Sequence, residues 1–177
     1  MHLRDPKPRP RSIRARTSTT RPLVTPPKID RRDLDEPAIG ALAAEVAGLL
    51  KPGDVLVLSG EVGAGKTTFV RSAAKALDVQ ERVTSPTYQL ARGYEGRANG
   101  VPVQINHLDL YRLEGVEDRD VLELDDYVDR RAITFIEWAE PVLDLLEAPT
   151  LIKFAHATPT TRHVSITGPI PERLRSC

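Results

Sequence analysis

No stretch constrains this chain more than Gly60-Glu61-Val62-Gly63-Ala64-Gly65-Lys66-Thr67-Thr68. It reads G-x-x-x-x-G-K-T and follows directly on the apolar run Val55-Leu56-Val57-Leu58. Behind it, Phe69-Val70 and Ala73 to Leu77 continue as a helix. Glycine tolerates backbone conformations closed to other residues, so such a loop curls until successive N–H groups point inward, a shape that cradles phosphate oxygens. The cradle would run from Gly60 through Glu61, Val62, Gly63, Ala64 and Gly65 to Lys66, Thr67 and Thr68. Lys66 adds a point charge for the β- and γ-phosphates, and the Thr67 hydroxyl can ligate Mg²⁺. The N-terminal dipole of the helix favours the same anion. The alternative is a turn that binds nothing. At an average glycine usage of about 7 % the pattern is a rare accident in a chain of this length.

A strand, this loop and a helix imply an α/β fold with ligand at the carboxyl ends of the strands. The rest of the chain extends that reading. Asp35 can cap a helix that holds Pro37 in its first turn and stops before Lys51-Pro52-Gly53. Its apolar residues Ile39, Leu42, Ala43, Val46, Leu49 and Leu50 recur at helical spacing. Val83 to Leu90 alternates like a strand around Ser85-Pro86, with glycines after it, and predicts a β-hairpin with a polar loop at its start. Val101 to Leu110 is a further β run, and the acidic segment 114–129 predicts one short helix and a turn. Ile133–Ile136 reads as a buried strand and Pro141 opens a short helix to Leu146. Leu151–Ala157 and Arg162–Thr167 close the chain as two strands. The expected architecture is P-loop NTPase-like: a mostly parallel sheet flanked by helices, with antiparallel edge strands or hairpins.

Charge divides the chain. Residues 1–32 hold ten of the 25 Lys and Arg, six of the 15 prolines and two of the 25 acids. Residues 33–177 are left with 15 basic and 23 acidic side chains, a net of −8. The expected organisation is therefore a disordered basic, Pro-rich arm over 1–32, a single domain over 33–170 and a short tail over 171–177. The one cysteine, Cys177, allows no internal disulfide, so a reducing compartment is expected. No apolar run approaches the ~18–20 residues of a membrane span, and the N-terminus lacks the apolar core of a secretory signal.

A nucleotide–Mg²⁺ site also needs a carboxylate at the end of a neighbouring strand. Two acids have that placement. Glu137 ends Ile133–Ile136, and Asp109 ends the other β run between Leu108 and Leu110. Thr84, Ser85 and Thr87 flank Pro86 in a loop that either senses a γ-phosphate or is simply a turn. His107, Tyr111 and Arg112 read equally as packing and ion-pair residues. Trp138, the only tryptophan, is either core or part of the site. Arg162 either reaches nucleotide or solvates a strand end.

Four segments in this order, Gly60–Thr68, Thr84-Ser-Pro-Thr-Tyr88, His107-Leu-Asp-Leu-Tyr-Arg112 and Glu137-Trp-Ala-Glu140, resemble the TsaE (YjeE) ATPases over residues 36–168. The resemblance implies a cytoplasmic ATPase that serves threonylcarbamoyladenosine synthesis on tRNA. Its hydrolysis of ATP would reset a complex of TsaB-like and TsaD-like partners, with tRNA engaged only indirectly. It implies that Lys66 binds phosphate, that Thr67 and Glu137 hold Mg²⁺, and that Asp109 is required for turnover. Thr84–Thr87 would be a switch, and Trp138 would lie beside the site. A compact small-molecule kinase is the competing class, but Arg119 is the only basic residue of 114–129, where an Arg-rich lid would be needed.

Overall fold

A computed structural model describes residues 27–86, 90–113 and 123–176. Seven strands form one sheet: β1 (Lys28–Leu34), β2 (Val55–Ser59), β3 (Ala91–Ala98), β4 (Val101–Asp109), β5 (Ala132–Glu137), β6 (Thr150–His156) and β7 (Arg162–Thr167). Their order across the sheet is β1-β7-β6-β2-β5-β4-β3. The helices are α1 (Glu36–Ala47), α2 (Lys66–Ala76) and α3 (Pro169–Ser176), with 3-10 turns at Leu124–Asp126 and Glu140–Leu145.

The central strands follow from composition. Val55–Leu58 and all six residues of β5 are buried, as strands covered on both faces must be. One hydrophobic cluster joins Leu56, Leu58, Ile133 and Phe135 to Phe69, Val70 and Ala73 of α2 and to Leu42 and Val46 of α1. The other face carries Val55, Val57, Leu108 and Ile136 under Val142 and Leu146. Helix α1 starts as its sequence requires. The Ala38 N–H donates to Asp35 Oδ1 at 2.9 Å, and Pro37 occupies the first turn.

Four expectations need correction. The sheet is mixed, not mostly parallel: β6-β2-β5-β4 run parallel, whereas β1/β7, β7/β6 and β4/β3 are antiparallel. The α-helices also contribute their buried residues to one cluster, while the opposite face is covered by the 3-10 turns and their neighbours. Second, residues 28–32 are not arm but edge strand, paired from Lys28↔Thr167 to Arg31↔Val164. Only Ile29 of that strand is buried, so no apolar pattern announces it; the backbone ladder to β7 does the holding. Residues 1–26 lie outside the described residues. Third, 169–176 is a helix, not a tail. Ile170 is fully buried, and Arg173 pairs with Asp54 (Nη2 to Oδ1, 2.6 Å) while donating to the Leu49 carbonyl at 3.0 Å.

The fourth concerns the hairpin. Its strands are β3 and β4, joined by Asn99-Gly100, both in left-handed conformation (φ 51° and 81°). The described part of 83–90 forms no strand. Val83 and Pro86 are buried there, and the Val83 carbonyl accepts from Arg71 Nε at 3.3 Å. An Asn-Gly pair between extended segments is the stronger hairpin signal.

Candidate functional site

The site forms where β2, β4 and β5 end together. Parallel pairing sets Leu58 beside Glu137 and Glu137 beside Asp109, so residues from three distant segments reach one edge. Beyond β2 the chain turns through Gly60, Gly63 and Gly65, all at positive φ, before α2 begins at Lys66. Gly60 has no room for a side chain: a Cβ at φ +143° would stand 2.6 Å from the Phe154 carbonyl oxygen of β6. Gly63 instead faces open space, with nothing within 4 Å of such a Cβ. The resulting cavity of about 400 Å³ is lined by the loop, Lys66, Thr67 and Thr68, and by Ser85, Asp109, Tyr111, Glu137 and Trp138.

Lys66 is 4 % exposed, unusual for an ammonium. Its Nζ donates to the Gly60 carbonyl at 2.7 Å and the Glu61 carbonyl at 2.9 Å, and lies 4.1 Å from the Trp138 ring centroid. Burial pushes its pKa below the usual lysine range, while Glu137, then Asp109 and Glu140, draw it back up. Trp138 is set over it by a left-handed backbone (φ 58°), and its ring packs at 5.0 Å on Tyr111. For a residue other than glycine that conformation costs about 1–2 kcal/mol, strain of the kind found at working sites.

Glu137 is 3 % exposed and takes hydrogen bonds from two directions. Thr67 Oγ1 donates to Oε1 at 2.9 Å and approaches Oε2 at 3.2 Å, and His107 Nε2 lies 2.9 Å from Oε1. Asp109 accepts from Ser85 Oγ at 2.5 Å and from the Tyr111 N–H at 3.3 Å. Among the described residues no three His, Cys, Asp or Glu side chains are grouped to hold a metal alone. The oxygen donors of Thr67, Glu137 and Asp109 suit a hard cation that takes its remaining ligands from phosphate and water.

Of the residues singled out from sequence, Gly60 through Thr68, Asp109, Glu137 and Trp138 come together here. Arg162 does not join the cavity. Its Nη2 donates to the Gly63 carbonyl at 3.2 Å and its Nη1 to the Thr161 carbonyl at 2.8 Å, which ties the β6–β7 turn to the loop. It lines a separate cleft of about 150 Å³ with Glu36, Ile39, Thr68 and Thr160. Thr87 lies outside the described residues; Ser85, two positions earlier, touches Asp109. His107, which by residue type suits packing or an ion pair, also reaches this site through Glu137. Its position two residues before Asp109 on one strand face was the available signal.

A strand–glycine loop–helix unit, with a buried lysine at the helix start and two strand-end acids across from it, places this molecule among α/β proteins whose candidate site lies at the carboxyl ends of the strands. The family model described as "Threonylcarbamoyl adenosine biosynthesis protein TsaE" matches residues 34–164, and the chain belongs to that family. A Streptomyces coelicolor tRNA threonylcarbamoyladenosine biosynthesis protein TsaE is 38 % identical over 133 residues, 72 % of this chain and 88 % of that one. The Bacillus subtilis protein of the same name is 35 % identical over 129 residues, 72 % of this chain and 78 % of its own length. A crystal structure of Bacillus subtilis YdiB superposes with a TM-score of 0.63 at 27 % identity, covering 80 % of this chain and 85 % of the other.

Proposed function

We propose that this chain binds ATP with Mg²⁺ and hydrolyses it as a component of the tRNA threonylcarbamoyladenosine machinery, driving turnover of a complex of TsaB-like and TsaD-like proteins in the cytoplasm. The observation that carries the proposal is the 2.9 Å bond from Thr67 to Glu137, which joins the loop hydroxyl to a buried strand-end carboxylate. That pair has the donor chemistry of a Mg²⁺ site beside a phosphate cradle. The cation would neutralise charge on the β- and γ-phosphates. Lys66 binds the same phosphates, and the loop N–H groups orient them. Asp109, held by Ser85 and the Tyr111 N–H, acts on the attacking water or on the water shell of the cation; a carboxylate directly against phosphate would be repelled. Arg162 contributes through Gly63, whose carbonyl it holds.

The partner dependence accords with the mouth of the site. Val62 and Tyr111, 73 % and 62 % exposed, give it an apolar rim. No described helix is long and apolar enough to cross a membrane. The test is ATP hydrolysis with and without the TsaB-like and TsaD-like proteins of the same organism. Stimulation that Glu137→Gln abolishes, with ADP binding retained, supports the proposal. Partner-independent hydrolysis, or phosphate appearing on a small acceptor, refutes it.

A further inference from the structure

We infer that His107 is a positioning residue for the metal ligand: it holds Glu137 Oε1 from behind so that the carboxylate meets a divalent cation in one fixed orientation. The inference rests on the reading of Glu137 as a Mg²⁺ ligand. His107 is fully buried and stands on β4, two residues before Asp109 and diagonally across from Glu137 on β5. Its Nε2 lies 2.9 Å from Oε1, an oxygen that also accepts from Thr67 at 2.9 Å. Among the described residues, Oε2 has only the longer 3.2 Å approach of Thr67. One carboxylate oxygen is thus committed to the protein, and the other keeps capacity for a ligand.

The tautomer follows from the partners. A carboxylate accepts only, so Nε2 must carry the proton it shares. Nδ1 has no hydrogen-bond partner among the described residues. A second proton there would be a buried donor with nothing to receive it, which is costlier than a bare lone pair. Nε2 is therefore the nitrogen whose N–H points at Glu137. It supplies one directional bond to the carboxylate. Hydrogen bonds behind a metal ligand fix its orientation, and their removal commonly loosens the metal by about 10- to 100-fold.

The experiment measures Mn²⁺ bound to the full-length protein–ADP complex by electron paramagnetic resonance. His107→Leu keeps the volume but has no donor; His107→Gln returns an N–H close to the Nε2 position. Expected are an at least ~10-fold weaker Mn²⁺ affinity in His107→Leu and recovery to within about threefold of wild type in His107→Gln. ADP affinity without metal should be unchanged in both. In a Glu137→Gln background, His107→Leu should cause no further loss. Wild-type Mn²⁺ affinity in His107→Leu, with Glu137→Gln defective, overturns the inference and leaves the metal site standing. A His107→Gln protein as weak as His107→Leu overturns it as well. Unchanged Mn²⁺ affinity in Glu137→Gln removes the metal-site reading and this one with it. Should His107→Leu fail to fold, long-range ¹H–¹⁵N spectra of the wild-type imidazole decide: Nε2–H supports the assignment, and Nδ1–H refutes it.

Discussion

Replacing Lys66 by methionine separates the ligand-binding work of this residue from its structural work. Methionine keeps the apolar stem against Trp138 and deletes the ammonium. Three contacts disappear: those to the Gly60 and Glu61 carbonyls and the one over the indole. Neither Gly60 nor Glu61 is buried, so water can take over both carbonyls. With the ammonium almost fully buried, the cation–π contact is worth up to about 2 kcal/mol. Its loss is partly offset because a lysine whose pKa burial depresses no longer has to be kept charged. Net stability should therefore change by less than about 2 kcal/mol, or roughly 4–8 °C in Tm for a chain of this size. Binding behaves differently. A charge-assisted hydrogen bond to phosphate contributes about 1.5–3 kcal/mol, so ATP affinity should fall by roughly 10- to 150-fold. Calorimetry with ATP, paired with a melting curve, reads both effects, and emission from the sole tryptophan gives a third signal at the same spot. Wild-type ATP affinity in a folded Lys66→Met protein would refute the phosphate assignment. A Tm loss above 10 °C would show that the ammonium is mainly structural.

Three further outcomes follow from the same geometry. Gly60→Ala puts a Cβ 2.6 Å from the Phe154 carbonyl oxygen and should cost about 2–6 kcal/mol, whereas Gly100→Ala, left-handed but in open space, should cost only about 1–2; denaturant melts compare them. A chain starting at residue 35 lacks β1 and the burial of Ile29, worth about 1.5–3 kcal/mol, and should melt roughly 5–10 °C below one starting at residue 27; equal melting temperatures would show that β1 adds nothing. Hydrogen bonds from Lys28 and then His163 hold the exposed Asp30 carboxyl at about 2. The unfolded carboxyl, near about 3.9, takes its proton first on acidification, so this stabilisation is complete above about pH 4 and lost towards pH 2. The Tm gap between wild type and Asp30→Asn should close over that interval; a gap independent of pH would contradict it.

How much of this was legible beforehand depended on whether a local pattern sufficed. The loop Gly60–Thr68, helix α1 with its Asp35 cap, and strands β2, β5, β6 and β7 carry their signals within a dozen residues: glycine spacing, helical periodicity, apolar runs. The end of Ile133–Ile136 even named the acid that faces the loop, because a carboxylate closing a buried strand needs a partner. Pairing across the sheet was another matter. Parallel or antiparallel neighbours are chosen by the path of the whole chain, so the mixed sheet was not readable from any segment. Strand β1 exists because β7 offers it an open edge; of its seven residues only Ile29 is buried. Helix α3 is likewise stationed by Asp54 and the Leu49 carbonyl, more than a hundred residues away. The site shows the same division. Residue types named Lys66, Thr67, Asp109 and Glu137, but only the β4–β5 register sets His107 against Glu137, since a hydrogen bond between strands depends on alignment that neither strand encodes alone.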